Sequence, residues 1–235
     1  MKVKTDKMFL LLFDIDGTLV RTGGAGKDSM EKALYEVFNI KNGLDSIPMM
    51  GRTDPLILKD AVAKHGIVWN RENENKLKEV YFKIIEKEII KPRKGQRVLP
   101  GIEQALKLLS GEKHIYLGLL TGNYRTSAYV KINRFDLGKY FPFGAFADDS
   151  PDRNKLGRFA MERFVAKYGI TISSSNVFII GDTPHDIACA LPYNFKTVAV
   201  ATGIHSFEKL KEHNPDFVFR DFRDYENILH KLKVI

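Results

Sequence analysis

Apolar and polar positions along the chain follow two different periods. Met8 to Phe13 form an uninterrupted apolar run that stops at two carboxylates, Asp14 and Asp16, with Gly17 and Thr18 beside them. A run of this length suits a strand buried on both faces, the kind found in parallel sheets covered by helices. The pattern then changes. Met30, Ala33, Leu34, Val37 and Phe38 recur at helical spacing, as do Leu58, Ala61, Val62 and His65, and then Leu77, Val80, Tyr81, Ile84 and Ile85. Three amphipathic helices are expected from these stripes. Asp54 is the expected N-cap of the second, with Pro55 at its first helical position.

From Val98 onward strand and helix signals alternate. Helices are predicted over Pro100–Ser110, from the Thr121 turn to about Arg134, over Leu156–Tyr168 and over Tyr225–Leu232. Strands are predicted over Ile115–Leu120, Phe143–Ala147, Val177–Ile180 and Lys196–Ala201, with an edge strand at Asp216–Phe219. Such alternation marks an α/β fold with a parallel sheet. The helical stretch interrupts it after the first strand. Residues 1–22 and 98–235 are therefore expected to form one α/β core, and residues 23–97 an all-helical insertion with two connections to it.

At 235 residues the chain can bury roughly 70–75% of its unfolded surface, so neither disulfides nor metals are needed to fold it. A single cysteine, Cys189, and the lack of a signal-peptide pattern at the start lead to the expectation of a cytoplasmic protein. Apolar runs fall well short of the roughly 20 residues of a membrane helix, so no membrane partner is expected. The net charge of +8 is spread among acids, as in KLKEV and EKEIIKPRK, with only a modest cluster at Lys91–Arg97. That dispersion reads as solvated surface and not as a nucleic-acid interface, while a positive field suits a small anionic substrate.

Chemistry in a parallel sheet gathers at the carboxyl ends of its strands. Asp14 and Asp16 end the first one, and crowded carboxylates need a cation or a shared proton. The glycine-rich Arg21–Lys27 is not a P-loop: Arg21 stands where the first glycine is required, and Lys27 is followed by Asp28. It reads as a hinge. Thr121, Gly122 and Asn123 follow a predicted strand and precede a helix, an arrangement that can cradle a phosphate. Asp182 and Asp186 follow another strand, with Pro184 suited to the first helical turn, so both acids can face one site. His185 between them reads as a rim residue.

These motifs together carry a resemblance to a known family. DIDGT resembles the DxDGT signature of the haloacid dehalogenase-like (HAD) superfamily, phosphatase branch. LLTGN resembles its second motif, IIGDTPHD its fourth, and the GRTD turn at Gly51–Asp54 is similar to one in phosphoglycolate-phosphatase-like caps. The resemblance spans essentially the whole chain and implies a Rossmann-like parallel sheet with a C1-type helical cap at 23–97. It implies a phosphatase acting on a small phosphorylated metabolite, phosphoglycolate favoured, with Asp14 as nucleophile and Asp16 as general acid/base. Magnesium, Mg²⁺, would be held by Asp14, the Asp16 carbonyl and Asp182, with Asp186 acting through water. Thr121, Gly122 and Asn123 would bind the phosphoryl group, and Arg52 the second anionic group of the substrate. In the third motif the common Lys-Pro pair is missing. The basic candidates are Arg153 and Lys155, with Arg153 preferred because Asp152 and Asn154 can cap the helix and turn Lys155 outward. A phosphomutase, or a non-catalytic phosphate-binding module, remains an alternative; a dehalogenase has no need of Asp16.

Overall fold

A computed structural model describes residues 7–235, so the first residues of the expected 1–22 segment lie outside the described residues. Its elements are β1 (Phe9–Phe13), β2 (Val20–Arg21), α1 (Ala25–Phe38), α2 (Asp54–Ala63), α3 (Arg71–Glu88), β3 (Arg97–Val98), α4 (Ile102–Gly111) and β4 (Ile115–Leu120). They continue with α5 (Arg125–Asn133), β5 (Gly144–Ala145), α6 (Leu156–Tyr168), β6 (Val177–Gly181), α7 (Pro184–Ala190), β7 (Lys196–Val200), α8 (Phe207–Lys211), β8 (Phe217–Phe219) and α9 (Tyr225–Lys231).

Six strands pair in the order β5-β4-β1-β6-β7-β8, all parallel. The sheet with helices on both faces is the Rossmann-like α/β architecture expected from the sequence. β1 lies between β4 and β6, with Leu12 opposite both Gly118 and Ile179. Side chains alternate across a strand. Thus Phe9, Leu11 and Phe13 pack with Ile102, Leu106 and Leu109 of α4 and Ile228 of α9. Leu10 and Leu12 enter the opposite cluster with Leu156, Ala160 and Phe164 of α6 and Cys189 of α7. Two covered faces are why the apolar run is unbroken, and each fully buried leucine contributes roughly 1.5–3 kcal/mol.

Helices α1, α2 and α3 share a separate apolar cluster built on Met30, Leu34, Leu58, Val62, Leu77, Tyr81 and Ile85. At the two connections to this segment, β2 and β3 pair antiparallel, Val20 opposite Val98. Among the described residues no helix is long and apolar enough to cross a membrane. Within the basic cluster, Lys91 and Arg93 both pair with the buried Glu88, and Arg93 also reaches Asp28.

Three local expectations change. His65 is exposed and lies outside α2, which ends at Ala63. Thr53, not Asp54, is the N-cap of α2, and Asp54 is its first residue. The strand expected over residues 143–147 shrinks to β5, because the Phe146 N–H donates to the Asp149 side chain and the Ala147 N–H to the Asn123 carbonyl.

Candidate active site

β1 delivers Asp14 to the carboxyl edge of the sheet, where its side chain is buried. The chain then turns at Gly17, whose φ of +84° and whose approach to Asp182 both require glycine: a Cβ there would lie 2.4 Å from Asp182 Oδ2. Asp182 follows β6, and its Oδ1 accepts from the Thr18 hydroxyl at 3.1 Å. Asp186, in the first turn of α7, accepts from the Thr183 N–H at 3.0 Å and hydroxyl at 2.7 Å with Oδ2, closing a capping box.

Arg153 enters this cluster from a one-turn 3-10 helix, Arg153–Lys155, capped by the Asp152 carboxylate. Its Nη2 lies 3.0 Å from Asp14 Oδ1 and also donates to Asp186 Oδ1. Lys155, two residues on, is exposed and takes no part. Of the two basic candidates, only Arg153 meets the acids.

Carboxylate oxygens of Asp14, Asp182 and Asp186 all lie within 4.8 Å of one another. Burial, opposed by Arg153 and reinforced by the Asp186 and Asp16 charges, pushes the Asp14 pKa up to about 7. Asp182 is raised well above the usual carboxylate range, first by burial and then by Asp186 and Asp14. Its Oδ2 is buried without a hydrogen-bond partner. One arginine against three buried acids leaves negative charge over. An orphaned buried acceptor in such a group fits a hard divalent cation with oxygen ligands.

A second polar chain runs from β4. Thr121, buried at the strand tip, sits beside Asp14, whose pKa its hydroxyl helps to lower, and accepts from Asn123 Nδ2 at 2.8 Å. Asn123 also donates from Nδ2 to Asp16 Oδ2 at 3.0 Å, so its amide faces the second aspartate. Lys131 of α5, which the motifs do not single out, donates from Nζ to Asp16 Oδ2 and to Asn123 Oδ1, both at 2.5 Å. The signal for it is helical: Tyr124, Ser127 and Lys131 lie three and four residues apart on one buried face.

The turn at residues 51–54 lies on these strand tips. Asp54 N–H donates to the Gly122 carbonyl at 2.7 Å, the Thr53 hydroxyl to the Pro151 carbonyl at 2.7 Å, and Arg153 Nη1 to the Gly51 carbonyl at 3.0 Å. A Cβ on Gly122 would come within 2.3 Å of the Arg52 carbonyl, so close approach of this turn requires glycine there. The Asp54 carboxylate reaches across to the Tyr124 N–H at 2.9 Å and the Ser127 hydroxyl at 3.2 Å. The Arg52 guanidinium is tied to Asp60 at 2.7 Å and to the Pro48 carbonyl at 3.0 Å. His185 is exposed at the rim beside Gly51, its pKa lowered by partial burial and by Arg153.

Between turn and strand tips lies a cleft of ≈ 580 Å³, lined among others by Asp14, Asp16, Arg52, Asn123, Lys131 and Arg153. A larger groove of ≈ 810 Å³ along α1 and α3 contains none of these residues.

The profile of the haloacid dehalogenase-like hydrolase family matches residues 11–200. The chain is 24% identical over 215 residues to a phosphoglycolate phosphatase of Pseudomonas savastanoi pv. phaseolicola, covering 91% of this chain and 77% of the relative. It is 26% identical over 235 residues to the pyrophosphatase PpaX of Halalkalibacterium halodurans, covering 93% and 95%. Among solved structures, a hydrolase from Pseudomonas syringae superposes with a TM-score of 0.66 at 19% identity, covering 96% of this chain and 99% of that one.

Proposed function

As the chain belongs to the haloacid dehalogenase-like hydrolase family, we propose that it is a Mg²⁺-dependent phosphatase of small phosphate monoesters, working through an aspartyl-phosphate on Asp14. The observation that carries this reading is the trio of buried acids, Asp14, Asp182 and Asp186, gathered within 4.8 Å of one another, with the Arg153 guanidinium paired to Asp14 and Asp186. Asp14, Asp182 and the Asp16 carbonyl would hold the metal, with Asp186 behind them. When bound, the metal offsets repulsion between the carboxylates and the substrate phosphate and polarises a phosphoryl oxygen.

An Asp14 oxygen attacks phosphorus in line, forming the acyl phosphate as the ester P–O bond breaks. Asp16 gives its proton to the departing alkoxide, then takes one from the water that hydrolyses the acyl phosphate and frees Asp14. Arg153 and the Thr121 hydroxyl, both beside Asp14, stabilise the charge that spreads over the phosphoryl oxygens in the transition state. Residues 1–22 and 98–235 act as the catalytic core and residues 23–97 as a cap over it. The leaving group lies in the cleft between them, facing Asp16 and the 51–54 turn.

Phosphoglycolate is the favoured substrate, given the GRTD turn and the phosphoglycolate phosphatase among the relatives. Arg52 lines the cleft and recognises the second anionic group of the substrate by exchanging Asp60 for it. The test is phosphate release from a panel of small phosphomonoesters and pyrophosphate with Mg²⁺. Release from phosphoglycolate that EDTA abolishes and Mg²⁺ restores is expected, with Arg52→Ala raising KM for phosphoglycolate far more than for p-nitrophenyl phosphate. Turnover indifferent to EDTA, or a sugar phosphate rearranged without free phosphate, would overturn it.

A further inference from the structure

We propose that Lys131 is a positioning residue for the acid/base step: it clamps one oxygen of Asp16 so that the other meets the leaving-group oxygen of the substrate. This rests on the phosphatase reading, in which Asp16 transfers the proton. Lys131 lies on α5, and its side chain is only 6% exposed. Its amine is slotted beneath the start of α1, where a Cβ on Gly26 would stand 3.2 Å from Nζ. Burying an ammonium is costly unless its donors are matched. Here two of the three are matched, by Asp16 Oδ2 and Asn123 Oδ1, with the Asp54 charge close by.

The direction of these bonds matters. Lys131 Nζ and Asn123 Nδ2 both donate to Oδ2 of Asp16, and Asn123 is itself held by Lys131 through its Oδ1. Among the described residues Asp16 Oδ1 accepts no hydrogen bond, although the Asp16 side chain is 39% exposed and lines the cleft. One oxygen is fixed from two sides and the other is left for the substrate. A carboxyl group that must serve both steps has to present the same oxygen to the leaving group and then to the attacking water. An unclamped side chain would lose that alignment by rotating. The proton passes from Asp16 Oδ1 to the leaving oxygen, and a water proton returns to Asp16 Oδ1. Lys131 keeps its own proton throughout and touches neither substrate nor phosphorus.

The test compares the full chain with Lys131→Met, Lys131→Arg, Asn123→Ala and Asp16→Asn, assaying an alkyl phosphate and p-nitrophenyl phosphate with saturating Mg²⁺. The nitrophenolate departs with little help from an acid, while the alkoxide needs it. Lys131→Met is expected to lower kcat for the alkyl ester by about tenfold to a hundredfold, with a much smaller loss on p-nitrophenyl phosphate and KM within about twofold. Lys131→Arg, which keeps the charge and the donors, should recover part of the loss. If Lys131→Met does not fold, Asn123→Ala, which removes the second donor to Asp16 Oδ2, carries the same expectation. Equal loss on both esters, or an effect confined to KM, overturns the assignment. Asp16→Asn separates the two levels: if it lacks the leaving-group dependence, Asp16 is not the acid and that part of the proposed function fails, whereas a dependence that it shows and the Lys131 and Asn123 variants lack removes only Lys131.

Discussion

The floor and the roof of the cleft are held together by different physics. The floor, made of the β1 and β6 tips and the Arg153 turn, is an array of buried charges: Asp14, Asp182 and Asp186, with one guanidinium paired to Asp14 and Asp186. The roof, the 51–54 turn, rests on it through hydrogen bonds to main-chain carbonyls, Thr53 to Pro151, Asp54 to Gly122 and Arg153 to Gly51. Breaking a buried charge pair by removing one partner costs several kcal/mol, while a hydrogen bond to a main-chain carbonyl is worth about 1 kcal/mol net, and roughly 1.5–3 where the donor is charged as in Arg153 to Gly51. The floor is thus rigid and short of positive charge, and the roof is attached by bonds that water can replace. Such a division suits a site in which the reacting groups stay fixed while the cover opens to admit substrate.

Substitutions in the floor should have the largest effects. Asp14→Asn keeps the shape and removes the nucleophile, so kcat should fall at least a hundredfold in a phosphate-release assay. Thermal stability should hold or rise, because one of three crowded acids becomes neutral. Appreciable turnover by this variant would exclude covalent catalysis at Asp14. Arg153→Ala comes next. It strips Asp14 and Asp186 of their shared cation, so it should cost about 3 kcal/mol or more in denaturant unfolding and on the order of a hundredfold in kcat. Lys155→Ala should change stability by less than about 0.5 kcal/mol and leave kcat unaltered, since the side chain is exposed. The pair measures how far the buried array depends on Arg153, and equal behaviour would erase the distinction between floor and surface.

The floor is also the more legible region in the sequence. Asp14 with Asp16, and Asp182 with Asp186, are neighbours in sequence at the ends of apolar strands, so the short-range pattern carries them. Arg153 is distinguishable from Lys155 through Asp152, which caps the turn as expected, whereas the Asn154 side chain makes no capping bond among the described residues. The roof and its seam are less legible because their partners are distant. Asp54 satisfies the ordinary signature of a helix cap, yet its carboxylate serves Tyr124 and Ser127, 70 and 73 residues away. Gly122 invites the reading of close approach to a phosphate, while its carbonyl and missing Cβ accommodate the roof turn. Lys131 sits in RTSAYVKINR between Val130 and Ile132, a lone lysine on a predicted helix that belongs to no motif. The β2–β3 ribbon is two residues per strand, too short to show any period.

The smallest expected effect lies at the seam, where Asp54 joins roof to floor with a buried carboxylate. Burial, opposed by Lys131 and by the Tyr124 N–H and reinforced by Asp16, pushes its pKa up to about 6 from the ordinary 3.8. The folded protein therefore holds the Asp54 proton more tightly than the unfolded chain does. The stability from that proton is fully present below about pH 4 and is lost as the pH rises through about 6, by roughly 3 kcal/mol at most. Asp54→Asn retains a carbonyl oxygen to accept from the Tyr124 N–H and the Ser127 hydroxyl, but it has no proton to lose. Lys131 keeps Asp16 and Asn123 as partners in that variant. Urea unfolding of both proteins across pH 4.5 to 7 should therefore show the wild type losing stability relative to Asp54→Asn as the pH rises, because every other titrating group is common to the two. Parallel curves would show that Asp54 does not ionise in that window, and the seam would then rest on neutral hydrogen bonds alone.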